Sequence, residues 1–166
     1  MRNLVLVAVI IFHHYTMDES YYSVESLWDG HRFDYVSIGS TIIEKAIIFY
    51  ELNVPFLYSL LLGDIETDGS ISTESRSNNG DMIKNLTTVY RTIEQFLNNN
   101  PRALIAFQGN TVAKTRLYRI AISKYLDRFL DRYLIWGVRC DNRKHEPFQI
   151  NQSYQAFFVT IKSLST

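Results

Sequence analysis

Apolar residues recur along the chain in two rhythms, and the change between them divides it. From Phe33 the rhythm is short: Phe33, Tyr35, Val36 and Ile38 lead to Gly39, and a second apolar run extends from Ile42 to Tyr50, interrupted only by Glu44, Lys45 and Ala46. This pattern predicts two paired strands with a turn at Gly39-Ser40. Val54 to Leu62 reads as a third strand with Pro55 near its start, where a missing N–H harms a sheet least. The Leu60-Leu61-Leu62 run implies burial on both faces. Residues 64–80 are polar, with a turn signal at Asp68-Gly69 and a Ser/Asn/Gly-rich stretch from Ser75 to Gly80, and make the principal loop.

The longer rhythm begins near Asp81. Met82, Leu86, Val89, Ile93, Phe96 and Leu97 recur at three- and four-residue spacing, which predicts an amphipathic helix to Asn98, with Asn79 or Asp81 as cap. Asn98-Asn99-Asn100-Pro101 ends it, because proline disfavours helical geometry in the residue before it. Ala103 to Phe107 reads as a short buried strand. A second helix is predicted from Lys114 to Asp131, with Leu117, Ile120, Ala121, Tyr125 and Phe129 facing the core. Tyr133 to Val138 and Ala156 to Ile161 read as two further strands. Two main helices and about six strands, grouped as strands first and then strand–helix alternation, predict an α+β fold with a mostly antiparallel or mixed sheet.

Length and composition bound this picture without altering it. A chain of 166 residues, 46% hydrophobic and 20% charged, supports one folded core, expected over residues 17–166. The nine-residue apolar run Leu4–Phe12, preceded by Arg2, is about half the length of a membrane span and lacks a small-x-small cleavage pattern. It reads as part of an extension, residues 1–16, upstream of a natural start at Met17, with a secretory signal or a packed strand as the other readings. Cys140 is the only cysteine, so an intramolecular disulfide is excluded and a cytoplasmic location without membrane association is expected. The charge is less even than its zero total: residues 1–81 carry 12 acids and 4 bases (−8), and residues 82–166 carry 5 and 13 (+8). Such halves either neutralise each other by packing together or leave a basic face for phosphates.

Candidate chemistry concentrates where the Ala103–Phe107 strand meets the second helix. Between Gly109 and Arg119 stand three cations and no acid. Gly109, Asn110 and Thr111 offer close backbone approach and the amides of a helix start. Lys114, Thr115, Arg116, Tyr118 and Arg119 add charge and donors for phosphate or carboxylate. Lys114-Thr115 matches the end of a P-loop, but Gln108 and Ala113 occupy its two glycine positions, which excludes that nucleotide-hydrolysing motif. Alternatively, Arg116 and Arg119 pair with the acidic first half and serve the architecture.

The run Asn78-Asn79-Gly80-Asp81, followed by Gly109-x-Thr111 and Thr115-Arg116-Leu117-Tyr118-Arg119, resembles an uncharacterised family of small bacterial proteins. The resemblance covers roughly Phe33 to Lys162 and implies no activity. Where a second arginine is expected before Thr115 stands Lys114, which keeps the charge and loses the planar fork.

Other constellations are weaker. Asp64-x-Glu66-x-Asp68-Gly69-x-Ile71 imitates the start of a calcium loop, but Glu74 falls at position eleven instead of twelve, so a hairpin loop is expected. Cys140 and His145 lack a third orienting group, and His13-His14 and His31 lack ligand spacing. No metal or cofactor is implied. Three functional classes suit the basic segment: binding of a phosphate-bearing nucleotide or nucleic acid, metal-independent RNA cleavage with Tyr118 or His145 moving protons, and docking of an acidic partner protein. The first is the favoured expectation.

Overall fold

The computed structural model describes residues 20–74 and 78–162, so the Leu4–Phe12 run and part of the Ser75–Gly80 stretch lie outside the described residues. The first five strands are β1 (Glu25–Leu27), β2 (Arg32–Ile38), β3 (Ile42–Glu51), β4 (Leu57–Ile65) and β5 (Ile71–Ser72). Helix α1 (Met82–Asn99) leads to β6 (Leu104–Phe107), followed by α2 (Val112–Lys124) and α3 (Leu126–Arg132). The chain closes with β7 (Tyr133–Arg139), β8 (His145–Pro147) and β9 (Tyr154–Ile161). The strands form one sheet in the order β1-β2-β3-β4-β6-β9-β7-β8, with β5 added alongside β4. All pairings are antiparallel except β4 with β6, which the α1 crossover makes parallel. The fold is α+β with a mixed sheet.

Nine strands and three helices correct the expectation of about six and two. β1, β5 and β8 hold three, two and three residues, too few for alternation to register. The second helix is two: Tyr125 leaves helical geometry at φ −110° and ψ 14°, and its N–H is shared between the carbonyls of Ala121 and Ile122. Ile122 is buried there, while Ile120, assigned to the core, is exposed. The third strand starts at Leu57, because residues 52–57 turn instead: Leu57 N donates to Val54 O at 3.1 Å and Phe56 has φ +65°.

The core lies between one face of the sheet and the helices. Alternate residues Phe33 and Tyr35 of β2, Ile47 and Phe49 of β3, Tyr58 and Leu60 of β4, and Ile105 of β6 meet Val89, Ile93, Phe96 and Leu97 of α1. Phe49 and Phe96 stack with ring centres 4.2 Å apart. No described helix is long and apolar enough to cross a membrane.

Candidate ligand-binding site

Strand register brings polar residues into line across this otherwise apolar face. Tyr35 of β2 is opposite Lys45 of β3, Lys45 is opposite Asp64 of β4, and Asp64 is opposite Ser72 of β5. Lys45 Nζ donates to Asp64 Oδ1, and both side chains are about nine-tenths buried, with 9% and 11% exposure. Burying two charges is tolerated only because they neutralise and hydrogen-bond each other.

The start of α1 faces the same row. Asp81 occupies the capping position but bonds no helix amide. Its Oδ2 instead accepts from Ser37 Oγ and Tyr22 Oη, both at 2.6 Å. Burial would raise its carboxyl; the Ser37 and Tyr22 hydroxyls, together with Lys45, outweigh that and hold it below the ordinary carboxylate value. Asn79, also buried, accepts from Thr41 N at 2.8 Å and donates to Ser37 Oγ at 3.0 Å, while its carbonyl accepts from Ser40 N. The Asn78–Asp81 motif is thereby docked onto the β2–β3 turn. Tyr35 Oη donates to Asn85 of α1 at 2.9 Å, and burial, then the Asp81 charge, push this phenol far up.

A cavity of about 510 Å³ lies here, lined by Lys45, Asp64, Asp81 and Asn85 and bounded on the α2 side by Lys114 and Tyr118. A second cavity, of about 350 Å³, lies between β4 and β6 and includes Gly109, Asn110, Lys114 and Tyr118. Leu62, Thr73, Lys114 and Tyr118 belong to both walls.

The residues singled out in the sequence divide accordingly. Gly109 N donates to Thr115 Oγ1 at 3.0 Å, and a Cβ at Gly109 would sit 2.3 Å from Thr115 N, so the glycine admits the first turn of α2 against the strand end. Thr115 is buried, and its hydroxyl donates to the carbonyls of Gly109 and Thr111. Thr111 caps α2, its Oγ1 accepting from Lys114 N at 3.2 Å. Asn110 Nδ2 and Lys114 Nζ both donate to the Thr73 carbonyl, at 2.5 and 2.6 Å. Tyr118 packs edge-on to Phe107, and burial pushes its phenol up to about 12. Arg119 donates to Gln152 O and Ser153 Oγ at 3.2 and 3.3 Å, and Arg116 is exposed; neither lines either cavity.

Residues 66–70 make a hairpin turn, with Gly69 N donating to Glu66 O and Ser70 N to Asp68 Oδ1, both at 2.9 Å. Among the described residues, no group of three or more His, Cys, Asp or Glu is arranged to hold a metal ion. His145 stacks on Phe158 in the β8 edge region, and Cys140 is exposed. Neither lines the two cavities. Sequence reasoning missed Lys45, Tyr35, Ser37 and Asn85 as site residues. The available signal was a lysine inside an apolar strand, which register alone turns into half of a buried pair.

This is an α+β protein whose one mixed sheet is crossed by a buried polar row and flanked by cavities near the β6–α2 junction. The chain belongs to DUF6934, a family of unknown function, whose model matches residues 18–162. That match begins before Phe33, where the resemblance read from the sequence started. No curated protein and no solved structure matches the chain.

Proposed function

We propose that the protein binds a small phosphate-bearing ligand of nucleotide size at the basic segment, with Lys114 as the principal charge contact and Gly109, Asn110, Thr111 and Tyr118 around it. The observation that carries this reading is that Lys114 is common to both adjoining cavities, of about 350 and 510 Å³. Among the described residues the 350 Å³ cavity has no acidic side chain in its lining, which suits an anion, whereas the 510 Å³ cavity mixes Lys45 and Lys114 with Asp64 and Asp81 between apolar walls, which suits the remainder of such a ligand. Arg116 and Arg119 line neither, which favours a small molecule over a nucleic acid tracked along the whole segment. The free thiol of Cys140 suits a reducing cytoplasm, where this binding would take place.

Titration of the protein with adenosine diphosphate and with inorganic pyrophosphate, at low and high salt, tests the proposal. Saturable binding that weakens with salt is expected, with Lys114→Ala reducing affinity about tenfold or more and Arg116→Ala leaving it nearly unchanged. Binding by neither probe, or affinity indifferent to Lys114→Ala, would overturn it.

A further inference from the structure

The described helices share the core with one face of the sheet, and alternation decides what the strands present on the other. Phe49 of β3, Ile105 of β6, Phe157 of β9 and Ile135 of β7 enter that core, so their neighbours along each strand point away from the helices. Register sets those neighbours in a line. Tyr50 is opposite Ser59, Ser59 opposite Ala106, Ala106 opposite Phe158, Phe158 opposite Trp136 and Trp136 opposite Pro147. Beside this row stand Ile48 opposite Leu61, and Leu134 opposite Thr160. Tyr50 and Leu134 remain 45% and 39% exposed, and Val36, Ile38 and Ile42, also exposed, widen the apolar patch toward β2.

Size and charge decide what fits this face. Six strands run from β2 to β7. At about 4.8 Å between strands and about 3.3 Å per residue they present roughly 650 Å² in projection, and more over the side chains, where a stable interface buries about 800 Å² per partner. The charged side chains that these strands direct to the face are Arg32, Asp34 and Glu44. Arg32 donates to both oxygens of Asp34, at 2.7 and 2.8 Å, so a nucleic acid backbone meets no uncompensated cation there. A second copy of the chain, by contrast, meets no strong field of its own sign. The two ends of the described chain lie elsewhere. Tyr21 packs its ring against Arg91, and Tyr22 N donates to Thr88 Oγ1 at 2.9 Å, so the chain enters on the α1 side of the sheet. Lys162 N donates to Arg132 O, beside α3.

We propose that two copies of this chain pair through their helix-free faces about a two-fold axis, forming a four-layer dimer with the helices outermost. Aligned sheets pack about 10 Å apart at about 30° to one another, and a two-fold axis makes each patch its own partner. Phe158 and Trp136 on one side of the face, with Ile48 and Leu61 on the other, supply the large side chains that interdigitate. The 350 Å³ cavity has Tyr50, Ser59, Leu61 and Ala106 of this face in its wall, so the second copy covers it there while Lys114 stays on the α2 side. The pairing does not depend on what that cavity binds.

Sedimentation of the full chain from about 1 to about 100 µM tests the pairing, with a dimer expected and a melting temperature that rises with concentration. Leu134→Lys and Ile48→Lys each put a charge into both halves of the interface and should raise the dimer dissociation constant about tenfold or more. Ile120→Lys, at an exposed position of α2, should leave it unchanged. Leu134 is already partly exposed, so Leu134→Lys carries the test if Ile48→Lys does not fold. A monomer throughout the range, whether bare or carrying nucleic acid, overturns the proposal. So does a dimer that both face variants leave intact, or one that Ile120→Lys alone dissociates.

Discussion

Lys45 and Asp64 are the two side chains for which single substitutions are most revealing. Each is worth little by itself in the interior, because desolvation of the charge offsets most of the attraction. Removing one partner strands the other. Asp64→Asn is therefore expected to destabilise the protein by about 3–5 kcal/mol, whereas the double replacement Lys45→Met with Asp64→Leu should cost far less. Urea denaturation of the variants checks this, and equal losses for single and double variants would contradict it. Asp81 gives a pH signature. Its carboxyl is held below the ordinary value of 3.8, so the folded state favours the ionised form. That stability is present above about pH 4 and is lost as pH falls through the lower folded value. Ser37→Ala removes one of the two hydroxyls responsible, and should shift the acid limb of a stability-against-pH curve upward in pH. None of this was legible from residue types. Lys45 read as an interruption and Asp64 as a loop acid, because facing depends on register between segments nineteen positions apart.

At the scale of elements, the helix start, the β2–β3 hairpin and the β6–α2 junction could be read, because each is announced by a local change of rhythm plus glycine, asparagine or proline. The docking of one element on another could not. Gly39 was read as a turn residue, yet what it provides is closeness: a Cβ there would fall 1.8 Å from Asn79 O, so the Asn78–Asp81 segment could not seat on the hairpin. Gly39→Ala should therefore cost about 2–3 kcal/mol through overpacking and the loss of the Ser40 and Thr41 bonds to Asn79. Gly69 provides the contrast. Its φ of +81° disfavours a side chain, but a Cβ would meet nothing within 4 Å, so Gly69→Ala should cost only about 1 kcal/mol. Denaturation midpoints for the two variants give the comparison directly; equal effects would mean that the Asn79 backbone gives way at little cost and that close docking does not govern Gly39. The basic segment was legible as an element and only partly as a site: Gly109, Asn110, Lys114 and Tyr118 line a cavity, while Arg116 and Arg119 on the same helix do not.

At the scale of the molecule, the ion pairs Arg32–Asp34, Lys45–Asp64, Arg91–Glu94 and Arg139 with Asp141 and Glu146, all among the described residues, each join residues of the same half. The expected neutralisation of one half by the other is not carried by these pairs. The parallel β4–β6 pairing was likewise invisible to local pattern, since it joins strands separated by α1. The aromatic content has the larger global consequence. Seven phenols, of Tyr22, Tyr35, Tyr58, Tyr90, Tyr118, Tyr133 and Tyr154, are raised above the ordinary value of 10.0, and burial is the leading cause in each. The folded state therefore binds these protons more tightly than the unfolded chain does, so their contribution to stability is complete below about pH 10 and lost as pH rises through the folded values. Alkaline unfolding should consequently be steep between about pH 10 and 12, with phenolate absorbance and loss of ellipticity appearing together because ionisation requires exposure. Tyr118→Phe removes a phenol whose folded value is about 12 and should make the upper part of that fall shallower. Smooth titration near pH 10 with the ellipticity intact would show that these hydroxyls reach water in the native state, and would remove burial as the source of their shift.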